Sequence, residues 1–240
     1  MSRRRPARAC TAIAAVLAFA GAAGCTGPAP SASGAAPGAA AGAGTAAPAA
    51  SGAAAAGLPD ASLLAWMRES FVARGQAGLD RLDQDDTQRR CSMAAARGGL
   101  PPDEAESIRR DNQALLRIPT GPLAGSWTRG EAIAQNGVGR QFSDPPDVPS
   151  GGNCYACHRL SAQEIAFGTI GPSLHQYGRL RAGVPREILE RETYGHIYDA
   201  QAYTACSLMP RFGARGILDD AQIRDLVALL LDPDSPVNRP

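Results

Sequence analysis

Cys154-Tyr155-Ala156-Cys157-His158 brings two thiols and an imidazole together in a C-x-x-C-H pattern. Thiols at this spacing reach two vinyl groups along one edge of a porphyrin. The next residue then carries its imidazole nitrogen under the iron. Each residue type has a task, so the pattern reads as a covalent attachment site for one haem c, with His158 as an axial ligand. Two rival chemistries use similar residues. A zinc site needs a second cysteine pair or a closing His/Cys pair, and none stands at suitable spacing. A redox dithiol belongs in a βαβ setting and has no use for the following histidine.

Iron held this way needs a sixth ligand or an open position. The candidates downstream are His175, His196 and Met209. Met209 is the only methionine after the motif and stands in Ser207-Leu208-Met209-Pro210, ahead of the last helix. A thioether opposite histidine raises the reduction potential, which suits electron transfer. Core packing is the plain alternative for Met209. Surface or hydrogen-bonding roles are the plain alternatives for the two histidines. Gly171-Pro172 resembles the small cytochromes c, in which a proline carbonyl at this place accepts the axial histidine's Nδ1–H; an ordinary turn is the other reading.

The remaining cysteines are informative. The sequence has six. Cys10 lies in a leader, Cys25 at its end, and Cys154 with Cys157 in the motif. Cys91 and Cys206 are left over. In an oxidising compartment they are expected to pair, stapling an upstream helix to the Met209 loop; two buried unpaired thiols are the alternative.

Helices must position these groups. Leu63, Leu64, Met67 and Phe71 recur at helical spacing, with Asp60 able to cap them. Pro101, Pro102, Asp103 and Glu104 open another helix, with Ile108, Leu115 and Leu116 expected on its apolar face. A helix is expected near Trp127–Asn136, followed by a polar loop from Gly137 to Asn153. The clearest helix is the last. Asp219 or Asp220 caps it, Ile223, Leu226, Val227, Leu230 and Leu231 line one face, and Pro233 lies just past its end. No segment sustains an alternation of period two. The expected architecture is all-α: a class I cytochrome c-like domain over residues 126–240, preceded by a helical extension over 58–125.

The front of the chain differs in kind. Residues 1–24 combine a basic start, Arg3, Arg4, Arg5 and Arg8, with a short apolar run ending in Ala22-Ala23-Gly24-Cys25. This is a secretory signal pattern, too short for a comfortable membrane span. Small residues before Cys25 resemble a bacterial lipoprotein box, in which that cysteine is lipidated; an ordinary cleavable signal is the alternative. From 26 to 57 only Ala, Gly, Pro, Ser and Thr occur. Such a segment has little to bury against its ordering entropy and is read as a disordered tether with a reach of about 30 Å. Hydrophobic residues make up 44% of the chain, but much of that is alanine in these segments. The formal net charge is +1, and loss of the leader's four arginines takes it below zero. That charge balance lacks the basic footprint of a nucleic-acid binder.

Several separated motifs carry a family resemblance. They are Gly151–His158, Gly168-Thr169-Ile170-Gly171-Pro172-Ser173-Leu174, Tyr198–Tyr203, Cys206–Gly213 and Leu231–Asn238. In this order, from about Cys91 to Asn238, the chain resembles the SoxX family, the mono-haem subunits of SoxAX cytochromes, in the form with an added helical segment. The resemblance implies a periplasmic heterodimer with a SoxA-like cytochrome. That complex, an L-cysteine S-thiosulfotransferase, joins thiosulfate oxidatively to a cysteine on a SoxYZ-like carrier. It implies that the sulfur chemistry belongs to the partner. Here Cys154, Cys157, His158 and Met209 would hold an electron-accepting haem that serves a downstream acceptor. No catalytic residue is expected in this chain, and Cys206 is expected to be structural. The lipoprotein-like Cys25 and the long tether are departures from the family pattern. A stand-alone periplasmic electron carrier is the alternative from a different class, and a haem with an open sixth position is a third.

Overall fold

The computed structural model describes residues 61–240; the leader, Cys10, Cys25, the tether and Asp60 lie outside the described residues. Among the described residues six α-helices run in the order α1 (Ala61–Ser70), α2 (Asp86–Ala96), α3 (Pro102–Gln113), α4 (Trp127–Gln135), α5 (Arg186–Tyr198) and α6 (Asp220–Leu231). Short 3-10 turns interrupt the connections at Leu79–Leu82, Cys154–Ala156, Arg179–Arg181 and Ala200–Ala202. Among the described residues the only β pairing is an isolated bridge between Arg74 and Ala77. The all-α class expected from the periodicity is the one observed.

Helix α6 forms because its signals agree. Asp219 caps it, accepting from the Gln222 amide while the Gln222 side chain accepts from the Asp219 amide. This reciprocal pair satisfies two otherwise orphaned donors. From Ile223 onward nearly every side chain is buried, including Leu226, Val227, Leu229, Leu230 and Leu231. They form the middle of a core shared with Leu123, Ala134, Leu160, Leu189, Tyr194, Ile197, Phe212, Leu218 and Val237.

Helix α4 crosses α6 at a contact only glycine permits. A Cβ on Gly130 would stand 2.1 Å from the Asp225 carbonyl oxygen. The Asp225 side chain, almost fully buried, joins the same crossing. It accepts from the Ser126 amide at 2.7 Å and from Arg129 Nε and Nη2 at 2.7 and 2.8 Å. The carboxylate supplies the start of α4 with the acceptor that the Ser126 side chain does not. It also holds a two-pronged guanidinium, the geometry suited to a carboxylate.

The extension is tied together more by polar contacts than by apolar burial. Ala94 is the buried residue of α2 and Ile108 with Asn112 those of α3. Arg90 reaches Asp111 at 2.9 Å and lies near Glu104, while Asn112 Nδ2 donates to Thr87 Oγ1 at 3.0 Å. Gln113 then donates to the Ala202 carbonyl at 2.9 Å, linking α3 to the segment that leads to Met209.

Three features depart from the periodicity. Helix α3 ends at Gln113, so Leu115 falls beyond it and is 65% exposed. Helix α1 buries none of its residues, and Phe71 stands past its end. Helix α5 is an addition to the expected elements. Its buried set, Leu189, Thr193, Tyr194 and Ile197, keeps helical spacing, but arginine and glutamate dominate its first half.

Candidate functional site

The C-x-x-C-H segment is a 3-10 turn, Cys154–Ala156, closed by Cys157 and His158 amides donating to the Cys154 carbonyl at 3.1 and 2.9 Å. Asn153 enters it in the left-handed region, φ 45° and ψ 42°, where asparagine is among the better tolerated residues. Both cysteines of the turn are free thiols and partly buried. Burial pushes the Cys154 thiol up to about 12. Burial thus works against a thiolate at Cys154, the form a redox dithiol would use as its nucleophile. Among the described residues no three His, Cys, Asp or Glu side chains converge as a metal-binding group.

His158 is fixed by the loop that leads away from the turn. Its Nδ1 lies 2.7 Å from the Pro172 carbonyl oxygen. A carbonyl only accepts, so Nδ1 carries the hydrogen and Nε2 is left with its lone pair. Gly171 makes this possible, since a Cβ there would stand 2.3 Å from His158 Cε1. The loop is pinned to the turn at Gly168 and Gly171, whose amides donate to the Tyr155 and Cys157 carbonyls, each at 2.9 Å. Asn238, 2% exposed, secures the next stretch. Its Oδ1 accepts from the Gly178 amide at 2.9 Å, and its Nδ2 donates to the Leu230 and Asp232 carbonyls at 3.0 and 2.8 Å.

Met209 is half-buried and packs on the same hydrophobic core as Cys154 and Tyr155. Its loop is held from several directions. The Met209 amide donates to Ser207 Oγ at 3.2 Å, and Gln201 Nε2 donates to the Ser207 carbonyl at 2.9 Å. Cys206 adopts φ 58° and is disulfide-bonded to Cys91 of α2 with Cα atoms 5.4 Å apart. Arg211, beyond Met209, donates to Asp85, the N-cap of α2. Between these attachments lies a cleft of about 470 Å³ bordered by Gln88, Gln201, Leu208, Met209, Arg211 and Arg215.

The other histidines are committed elsewhere. His175 Nε2 lies 3.3 Å from the Arg239 carbonyl oxygen. His196 is exposed, gives its Nδ1–H to the Glu192 carbonyl at 2.8 Å and stacks on Tyr203 with ring centroids 3.7 Å apart. Of the supporting residues, Gln201 and Arg211 fall within the motifs Tyr198–Tyr203 and Cys206–Gly213, while Asp85 carries no signal of its role in the sequence. Asp85 and Arg211 are 126 positions apart, and neither stands in a pattern that names the other.

Residues 128–232 match the family model for cytochrome c. The chain is also 36% identical over 160 residues to a protein of Aquifex aeolicus strain VF5 described as an uncharacterised lipoprotein, spanning 65% of this chain and 73% of that one.

Proposed function

Residues 128–232 are a cytochrome c domain, with covalently attached haem c as its cofactor, and from that premise we propose that the chain is the electron-accepting subunit of a SoxAX-type thiosulfate-oxidising cytochrome. The observation that carries the proposal is the ordered set of motifs flanking the C-x-x-C-H turn. Their residues have structural work to do around the site: Gly171 and Pro172 at His158, Gln201 and Cys206 at the Met209 loop, Asn238 at the Gly178 turn.

The residues fit the cofactor. Cys154 and Cys157 are free thiols on one turn, and each would hold the haem through a thioether made by adding its S–H across a vinyl group. His158 offers Nε2 to the iron because Pro172 holds its other nitrogen. Met209 offers its thioether from a loop on the same core. Bound haem supplies one-electron redox chemistry, and His/Met ligation sets its potential high. The chain's own part is to hold both ligands through the redox change. The sulfur chemistry lies on a SoxA-like partner, which joins thiosulfate to a cysteine of a SoxYZ-like carrier. The electrons released there reach this subunit and then a downstream acceptor.

The leader and Cys25 extend the reading to a periplasmic, lipid-anchored protein. The lipoprotein description of the Aquifex relative supports the anchor. Among the described residues no helix is long and apolar enough to cross a membrane.

The test is a pull-down of the tagged, haem-loaded chain from its host grown on thiosulfate. Co-purification of a second haem subunit, and haem reduction that requires thiosulfate and carrier together, is the expected result. A lone cytochrome inert to both, beside an active control complex, would make it a general electron carrier.

A further inference from the structure

We infer that α2 is a two-point clamp on the iron-ligand loop and that Asp85 is a positioning residue for Met209. This rests on the reading of Met209 as the sixth ligand and adds the element that keeps it in place.

The clamp grips the loop on both sides of the methionine. Before Met209, Cys206 is bonded to Cys91. After it, Asp85 accepts from Arg211, and from Arg215 at 3.3 Å. Both grips come from one short helix, with Asp85 at its N-cap and Cys91 in its second turn. Arg211 is nearly enclosed, its side chain 11% exposed, so its charge has little access to water and relies on the hydrogen-bonded Asp85 and on the charge of Asp199 nearby. Apolar packing does not replace these contacts. Ala94 is the buried residue of α2, and the cleft beside Met209 opens between the loop and Gln88.

The chemistry of the ligand gives the clamp its physical consequence. A neutral thioether is a weak ligand for ferric iron, so the free energy of ordering its loop decides whether it stays bound. Loops with few buried contacts open at low free-energy cost, and an opened loop yields its coordination position to solutes. A clamp that raises that cost keeps the iron closed to outside ligands and keeps the potential high.

Asp85→Asn separates the clamp from the helix cap. Asparagine still accepts the Gln88 amide hydrogen, since it caps helices as well as aspartate does. It removes the charge facing Arg211 and Arg215. In the haem-loaded full chain, imidazole affinity of the ferric form is expected to rise about tenfold, equal to about 1.4 kcal/mol. The potential should fall, and the methionine-to-iron charge-transfer band should weaken. Asp85→Glu should restore much of the wild-type behaviour. Arg211→Gln should reproduce the Asp85→Asn effect, and the double variant should be no worse than either single one, the signature of one coupled interaction. Wild-type affinity, potential and band in Asp85→Asn, while Met209→Ala changes all three, would overturn the clamp and leave the ligand intact. Wild-type behaviour in Met209→Ala itself would overturn the ligand and the clamp together.

Discussion

At the scale of single residues, the site depends on side chains whose partners restrict them to one state. His158 is the clearest case. The Pro172 carbonyl selects its tautomer, and the bare Cα of Gly171 leaves room for its ring. Gly171→Ala should push the imidazole aside. The affinity of His158 for iron is expected to fall about tenfold or more, the usual cost of disturbing a ligand's support. Loss of the six-coordinate ferric spectrum would show it. Asp85 carries a pH dependence of definite sign. Burial pushes its carboxyl up, but the Gln88 amide, Arg211 and Arg215 outweigh that and hold it below its ordinary value of 3.8. A carboxylate with a depressed folded value adds stability that is complete above the unfolded value and is lost as pH falls through the folded one. Acid unfolding of the wild type should therefore steepen below about pH 4 relative to Asp85→Asn. Asp199 acts in the opposite direction: burial raises its carboxyl, and the charge of Asp85 adds to that rise, so part of the difference between the two proteins comes through Asp199. Met209→Ala should lower the reduction potential by on the order of 0.1 V, within the ≈0.8 V span that axial ligation commands. Redox titration reads this directly.

At the scale of elements, the α4–α6 crossing is the frame on which the site is hung. Gln222, in the capping box of α6, also donates to the Ser150 carbonyl at 2.8 Å, close to the C-x-x-C-H turn. Gly152 and Asn153 are bonded back to the end of α4 through the Ile133 and Asn136 carbonyls at 2.9 and 3.1 Å. The spacing of the two helices is therefore transmitted to the thiols. Gly130→Ala would place a methyl group 2.1 Å from the Asp225 carbonyl oxygen, closer than any atom can stand. The helices must separate, and destabilisation of about 1–3 kcal/mol is expected, typical of overpacking. Urea unfolding of the haem-loaded protein measures it. An unchanged midpoint would mean that the crossing accommodates a methyl group elsewhere.

At the scale of the whole molecule, the Cys91–Cys206 bond closes a loop of 115 residues that encloses α3, α4, the C-x-x-C-H turn and α5. Long closures restrict the unfolded chain most, so Cys91→Ser should cost roughly 4 kcal/mol, within the usual range of 2–5. For a chain of this size that is a fall in Tm of about 8–16 °C. Thermal unfolding gives the shift. Finding two reactive thiols in the native, haem-loaded protein would show that the bond does not form. Because the same bond begins the clamp on Met209, this variant should also bind imidazole more tightly.

Local patterns in the sequence determined the chemistry and the helices that have strong ends. Cys154, Cys157 and His158 declare their task by adjacency, and Asp219 through Leu231 declares a helix because cap, period and stop coincide within one segment. Helix α5 is hidden in the sequence because its buried residues alternate with charged ones, and Leu115 falls outside its expected helix because α3 stops at Gln113. The tertiary structure alone decided what stands beside what. That Asp85 faces Arg211 across 126 positions, that Gly130 touches Asp225, and that one short helix grips both sides of the Met209 loop are consequences of chain folding. No local propensity encodes them, since each arises when segments distant in sequence compete for the same space around one core.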